Sequence, residues 1–201
     1  MTQRIKTDEI KGQNGFGIAE LIIALLVISI LVVLALPKIT VSRRLSHFSA
    51  VQRQISTSLN EARQSAMSQR TAITFRYDDA NKRTIIYGGG FGALGDAKNQ
   101  KTDFANSGLL STEIIYGRPT GVSASALGDT SNMTDLTADV VDVTFQPDGS
   151  VTDVSNNPIN KALFFYHAKS KKDTAFAVSV LGAGGGTKIW RYSKSVDAYV
   201  Q

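Results

Sequence analysis

An uninterrupted apolar segment near the start of the chain limits its possible folds more than any other feature. Residues 16–36 (FGIAELIIALLVISILVVLAL) comprise 21 positions, and Glu20 is the only ionisable side chain among them. A helix of about 20 residues rises about 30 Å, which is the thickness of the hydrocarbon core of a bilayer. The segment therefore predicts a membrane-spanning helix. Its carboxylate needs a specific partner, because an unpaired charge is costly to bury in such a helix.

The residues that precede the apolar segment are few, polar and slightly basic. Residues 1–15 carry three basic side chains against two acidic ones. No small-x-small cleavage site follows the apolar segment, so a secretory signal peptide with a cut after its apolar stretch is not indicated. If the chain is processed, the sequence favours a cut before the apolar segment.

Four features in register around this segment resemble a type IV prepilin or pseudopilin. A short leader ends in Gly15, Phe16 follows, Glu20 stands at the fifth position after the glycine, and about 20 apolar residues begin there. The resemblance implies that a membrane-embedded prepilin peptidase cleaves the Gly15–Phe16 bond on the cytoplasmic side of the inner membrane. It also implies N-methylation of the new Phe16 amine. Pro37 matches the helix-kinking proline of pilins, and proline removes a helical donor and clashes with the preceding turn.

Glu20 has two interpretations. In the prepilin interpretation its carboxylate pairs with a free N-terminal amine, its own or that of a neighbouring subunit, and so contributes to filament assembly. In a low-dielectric filament core, such a pair has a far lower free-energy cost than an unpaired buried carboxylate. The alternative is an ordinary signal anchor with an incidental glutamate.

After Pro37 the apolar pattern becomes one-sided, which predicts that the helix continues to about Gln69 with one buried face. The apolar positions recur at intervals of three and four: Leu45, Phe48, Val51, Ile55, Leu59, Ala62 and Ala66. The stretch 59–66 is similar to the "L-x-x-A-R-x-x-A" stretch that ends the long helix in GspH/FimT-type minor pseudopilins. Arg63 within it has no assigned chemistry.

Alternating stretches, an apolar stretch and turn signals between them predict several strands after the helix. The predicted strands are 73–77, 83–87, 112–116, 141–145, 161–167, 174–181 and, as the last one, 187–193. Lys161–His167 is apolar on both faces, which predicts a central strand. Pro147-Asp148-Gly149 predicts a turn, because proline fixes φ and glycine supplies a positive φ. Residues 141–193 resemble the C-terminal half of the GspH/FimT family, whereas residues 88–108 and 120–138 are loops without an assigned role.

Together these features predict an α+β protein. A long N-terminal transmembrane and amphipathic helix packs on a C-terminal antiparallel, sandwich-like β-sheet domain. The predicted boundaries are a leader at 1–15, the transmembrane part of the helix at 16–37, its amphipathic part at 38–70 and a periplasmic β-rich domain at 71–201. The 42% hydrophobic and 19% charged residues argue against disorder.

No catalytic site, cofactor site or metal site is predicted. The chain has no cysteine, which excludes disulfides and thiolate chemistry. His47 and His167 have no acid or nucleophile at a recognised spacing. Gly90–Gly95 satisfies G-x-G-x-x-G, but no helical pattern follows it to bind a phosphate. Four aspartates offer oxygen ligands for calcium, although their spacing matches no known loop pattern: Asp129, Asp135, Asp139 and Asp142.

The resemblance implies a structural protein rather than an enzyme. It implies a minor pseudopilin or pilin, a subunit of a periplasmic filament of a type II secretion system or a type IV pilus. The implied partners are prepilin peptidase, other pilins in the filament and inner-membrane lipid before assembly. The implied location is the inner membrane, crossed once, with the C-terminal domain in the periplasm.

The alternative function is a DNA-binding minor pilin of a DNA-uptake pilus. The strand 187–193 and the residue after it mix cations with aromatic rings, as single-stranded nucleic-acid grooves do. The candidate DNA contacts are Lys188, Trp190, Arg191 and Lys194. Some FimT-like pilins bind DNA through a Gly-Arg-x-Arg motif, and this chain has Gly-Thr-Lys-Ile-Trp-Arg at 186–191 instead. Basic residues that prevent edge pairing are the competing interpretation.

Overall fold

A computed structural model describes residues 17–89, 100–104 and 111–201, with the side chains at 34–41, 100 and 101 excepted. The predicted cleavage site at Gly15–Phe16 and the glycine motif at Gly90–Gly95 lie outside the described residues. The chain divides after Ser42 into two compact units. One long helix contributes residues to both units, and each unit is considered by itself below.

The helix α1 spans Ile18–Gln69, 52 residues. Its assignment is continuous through position 37, so Pro37 does not end the helix, and the predicted kink there stays a prediction. The side chains from Ile18 to Val33 are all exposed. Within the ranges that the structure describes, no helix has both the length and the apolar character needed to cross a membrane.

Nine β-strands follow the helix in the described residues. They are β1 (Ile73–Asp78), β2 (Arg83–Gly88), β3 (Gln100–Asp103), β4 (Ile114–Tyr116), β5 (Val140–Phe145), β6 (Lys161–His167), β7 (Lys171–Val180), β8 (Thr187–Ser193) and β9 (Ala198–Val200). They form two antiparallel sheets, with the orders β3-β2-β1-β5 and β4-β6-β7-β8-β9. The predicted α+β class with antiparallel sheets is therefore confirmed.

The strand predictions match best at β6 and β8 and miss β3 and β9, while β7 begins three residues before its predicted start at Thr174. β6 has the predicted bounds and lies inside its sheet, with Leu163 and Phe164 fully buried on opposite faces. β8 also has the predicted bounds, but it is not the last strand, because β9 pairs with it. β3 lies within the predicted loop 88–108. β4, with three residues, lies within the predicted strand 112–116, whereas β3 and β9 contain too few alternations to be recognised by their period.

The amphipathic stripe of α1 forms a core with both sheets. Six of its seven predicted members are buried: Phe48, Val51, Ile55, Leu59, Ala62 and Ala66. Leu45 is the exception, because 41% of its surface is exposed. The same cluster includes Val143 from the first sheet and Val178 from the second. One helix face therefore supplies the apolar surface that both sheets cover.

The long loop at 120–138 covers the opposite face of the second sheet. It contains a 3-10 helix at Ser125–Thr130. Val122 and Leu127 of the loop are buried in a second apolar cluster with Phe164 and Tyr199. The loop without a predicted role therefore has a structural one, since it shields apolar side chains that would otherwise face water.

Candidate functional site

Glu20 lies in the first turn of α1 with an exposed side chain. It makes no hydrogen bond or ion pair with any residue that the structure describes. A carboxylate in the first turn of a helix interacts favourably with the partial positive charge at that end. Its backbone N–H donates to the Gly17 carbonyl, 3.0 Å away. The side chain is thus held at the helix start and is available to a group from outside the described residues.

The basic strand β8 distributes its predicted DNA contacts over two faces. The Arg191 side chain faces α1, where its Nε donates to Gln52 Oε1 at 3.0 Å. Trp190 lies on the other face, and its Nε1 donates to Ser179 Oγ at 2.9 Å. Successive side chains of a strand point to opposite sides. Lys188 therefore shares the face of Trp190 and not that of Arg191.

Lys194 follows β8 and is already paired. Its Nζ lies 2.9 Å from Asp173 Oδ1. The structure therefore places Lys188 and Trp190 on one side of the sheet and Arg191 on the other. A nucleic-acid strand on the outer face would not meet Arg191, so the four predicted contacts do not form one groove.

A cavity lies on the helix-facing side of β8. It has a volume of about 200 Å³ and is bordered by α1 and by the strands β7 and β8. Its walls include Phe48 and Gln52 from α1 and Phe176 and Arg191 from the sheet. Gln52 is only 3% exposed, and its Nε2 has no hydrogen-bond partner among the described residues. The sequence pattern did not single out Gln52, because a glutamine in an amphipathic helix normally faces water.

His167 ends β6 and is fully buried. Its Nδ1 accepts a hydrogen bond from the Lys169 backbone N–H at 3.1 Å, and its Nε2 lies 3.7 Å from Glu113 Oε1. Burial lowers the pKa of His167, Glu113 opposes this shift, and Arg44 and Lys169 reinforce it. Among the described residues, no group of three His, Cys, Asp or Glu side chains that could hold a metal ion includes His167. Sequence reasoning found the residue but not its burial.

Arg63 lies beside two glycine turns. The first is the predicted turn at 146–150, in which the Gly149 N–H donates to the Gln146 carbonyl at 2.8 Å. A methyl group added to Gly149 would lie 3.3 Å from Arg63 Nε, and one added to Gly185 would lie 3.0 Å from it. Arg63 Nε is buried and has no hydrogen-bond partner in the part of the chain that the structure describes. The residue that had no assigned chemistry therefore packs where both turns approach the end of α1.

The aspartates considered for calcium are not gathered into one site. Asp142 accepts two hydrogen bonds from the Arg76 guanidinium, each 2.7 Å long. The Asp139 carbonyl accepts the Asp79 N–H at 2.8 Å. In the ranges described, no three His, Cys, Asp or Glu side chains are arranged to hold a metal ion. Asp142 instead links β5 to β1.

The chain is similar to known proteins over most of the second unit. The family model described as type II transport protein GspH matches residues 52–184, which is more than half of the chain. That range begins in α1 at Gln52 and ends between β7 and β8. No curated protein is significantly similar to the chain.

Two crystal structures of the type IV minor pilin FimU from Pseudomonas aeruginosa (strain PAO1) are also similar. The structure in space group P65 is 18% identical, covers 70% of this chain and 90% of its own, and has a TM-score of 0.46. The structure in space group P21 is 19% identical, covers 77% of this chain and 92% of its own, and has a TM-score of 0.48.

The family match and the architecture agree with each other. The helix packed on antiparallel sheets agrees with a pilin-like family such as the one whose model matches. The match includes the helix end with Arg63 and the strands β1 to β7. The chain belongs to the GspH family of type II transport proteins and is a GspH/FimT-like minor pilin.

Proposed function

We propose that the protein is a minor subunit of a periplasmic filament, either the pseudopilus of a type II secretion system or a type IV pilus. One observation carries the proposal. Gly15, Phe16 and Glu20 stand in prepilin register before an apolar segment that runs to Leu36, in a chain whose residues 52–184 match GspH. The filament requires other pilins as partners.

The precursor is anchored in the inner membrane by residues 16–37, with the β-rich domain in the periplasm. The 21-residue apolar segment 16–36 in the sequence supports this anchor. Prepilin peptidase removes residues 1–15, and the Phe16 amine is then N-methylated. Before assembly the anchor contacts inner-membrane lipid.

Glu20 sets the axial register of the subunit in the filament. Its carboxylate is exposed, and it has no partner among the described residues. Cleavage at Gly15–Phe16 creates an amine four positions upstream. Burying a carboxylate together with an amine costs much less free energy than burying either charge without a partner. The amine of the same or a neighbouring subunit is therefore the expected partner.

The substitution Gly15→Trp tests the cleavage site. A bulky side chain prevents the close backbone approach that a protease needs, so we expect the full-length precursor to accumulate. Intact mass of the membrane fraction distinguishes the precursor from a product without residues 1–15. Wild-type protein from cells without prepilin peptidase supplies the precursor standard. Normal removal of the leader from G15W would exclude this cleavage site.

The substitution Glu20→Ala tests the role in assembly. We expect E20A to lose its leader normally and to be several-fold depleted from sheared filaments, because the amine of the neighbouring subunit has no partner. Quantitative immunoblots of filament and membrane fractions measure this ratio. Asp129→Ala is the control, since it removes an exposed carboxylate from a loop of the β-rich unit. Equal incorporation of E20A and D129A would contradict the proposed register role.

A further inference from the structure

We propose that the cavity between α1 and the strands β7 and β8 is a socket for an acidic side chain of a neighbouring filament subunit. The nature of the occupant rests on the proposed function, whereas the socket itself rests on the geometry. Its two donor groups are the Gln52 amide and the Arg191 guanidinium, which both line the cavity.

Gln52 supplies a hydrogen-bond donor without an acceptor. Its Oε1 accepts the N–H of Arg191 Nε at 3.0 Å, which orients the amide and leaves Nε2 as the free donor. The residue is only 3% exposed, and its Nε2 meets no acceptor among the residues that the structure describes. A buried amide donor without an acceptor is costly in free energy, and an incoming oxygen atom would remove that cost.

Arg191 supplies the charge. Its side chain is exposed, and its terminal nitrogens make no hydrogen bond with the residues that the structure describes. Asp173 also lines the cavity, but Lys194 already pairs with its carboxylate at 2.9 Å. The charge of Arg191 is therefore not neutralised locally. Guanidinium groups bind carboxylates with two parallel hydrogen bonds, which favours a planar carboxylate over other anions.

The rest of the cavity is suited to the stem of a protein side chain. Leu45 and Phe48 from α1 and Phe176 from β7 provide apolar walls. Leu45 is the member of the apolar stripe of α1 that stays 41% exposed. The cavity of about 200 Å³ exceeds the volume of one water molecule several times. Methylene groups of a glutamate would cover these walls, whereas a free inorganic anion would leave them in contact with water.

A peptide titration of the full-length protein in detergent micelles tests the socket. The probes are acetyl-Ala-Glu-Ala-amide and its Gln counterpart, and the readouts are the ¹⁵N resonances of Gln52 Nε2 and Arg191 Nε. We expect saturable shifts with the Glu peptide and none with the Gln peptide. The absence of saturable shifts, or equal shifts with both peptides, would overturn the proposal.

Matched variants distinguish binding in the socket from attraction of the peptide by the overall positive charge of β8. Arg191→Gln and Lys188→Gln remove the same charge from opposite faces of β8, so we expect R191Q to bind the Glu peptide at least tenfold more weakly and K188Q to bind normally. Ser49→Trp fills the cavity mouth without changing Arg191, and should also abolish the shifts while thermal unfolding shows a folded protein. Equal losses in R191Q and K188Q, or undiminished binding by S49W, would contradict the socket.

Two further measurements test the occupant. Sodium acetate should bind much more weakly than the Glu peptide; equal affinity would indicate a small-anion site and overturn the assignment to a subunit. In cells, R191Q should be cleaved normally yet be several-fold depleted from filaments relative to K188Q. Normal incorporation of R191Q would overturn the assembly role of the socket. The proposed function would survive that result, because incorporation of the wild-type chain and its loss in E20A test it separately.

Discussion

Gln52 and Arg191 lie 139 positions apart in the chain and share a hydrogen bond of 3.0 Å. The contacts of this pair depend on where each residue lies in the fold and not on its residue type alone. Arg191 and its neighbour Trp190 belong to one predicted cationic-aromatic strand, yet they contact different layers of the fold. Alternation along a strand predicts this separation once the strand is known, because the side-chain period is two.

The buried histidine makes stability depend on pH. Burial lowers the pKa of His167 in the folded protein below the value of about 6.5 in an unfolded chain. The unfolded chain therefore binds the proton first as the pH falls. The contribution of His167 to the free energy of unfolding is present above pH ~6.5 and is lost as the pH falls towards the folded pKa, by at most about 1.4 kcal/mol per pH unit.

His167→Gln removes this dependence, because glutamine does not titrate and its oxygen still offers an acceptor to the Lys169 N–H. Denaturant unfolding of the full-length protein at pH values between about 4.5 and 7.5 measures the slope. His47→Gln replaces the other histidine of the chain and should retain the contribution of His167. A slope in H167Q as steep as in H47Q would show that other groups carry the pH dependence.

The turns are the elements in which sequence and structure agree most closely. The Gln146–Ser150 segment forms the predicted turn, closed by a hydrogen bond from the Gln146 N–H to the Ser150 carbonyl at 2.8 Å. Only the fold shows that the glycine turn between β7 and β8 approaches it. A methyl group on Gly185 would lie 1.9 Å from the Gly149 carbonyl oxygen. Glycine at 185 therefore permits the contact of the two turns beside Arg63.

Gly185→Ala should destabilise the protein by at least about 2 kcal/mol, because it adds a steric clash to a left-handed backbone. The φ angle of Gly185 is 59°. Gly184→Ala is the matched control, since nothing lies within 4 Å of its added methyl group. Urea unfolding of both variants measures the difference. Equal unfolding free energies for G185A and G184A would show that the turns separate at little cost.

The second unit, Arg43–Gln201, has a core shared by α1 and both sheets. Val143 of β5 and Val178 of β7 belong to this one cluster although they lie in different sheets. The two sheets therefore depend on the same helix face, and we expect them to unfold together. The residues of α1 from Arg43 onward belong to the same compact unit as the sheets.

Val143→Ala tests whether the unit unfolds as one. We expect a loss of about 1.5–3 kcal/mol from lost burial. If the unit unfolds as one, the midpoint of denaturant unfolding shifts by the same amount in two signals. These are far-UV circular dichroism and the fluorescence of Trp190, the single tryptophan, which lies in the other sheet. Val154→Ala, at a position that is 80% exposed, should shift neither signal. A V143A midpoint that moves in the circular dichroism alone would mean that the sheets unfold independently.

The sequence by itself determined the elements that depend on local pattern. The apolar stripe predicted the buried face of α1, and Pro-Asp-Gly predicted a turn. An apolar stretch predicted β6, because period and backbone preference act between near neighbours. The tertiary structure decided what depends on distant partners. It pairs β9 with β8, packs the loop at 120–138 on the second sheet and joins Gln52 to Arg191. Such contacts have no local signature, since they arise only when the helix and the two sheets bury a shared core.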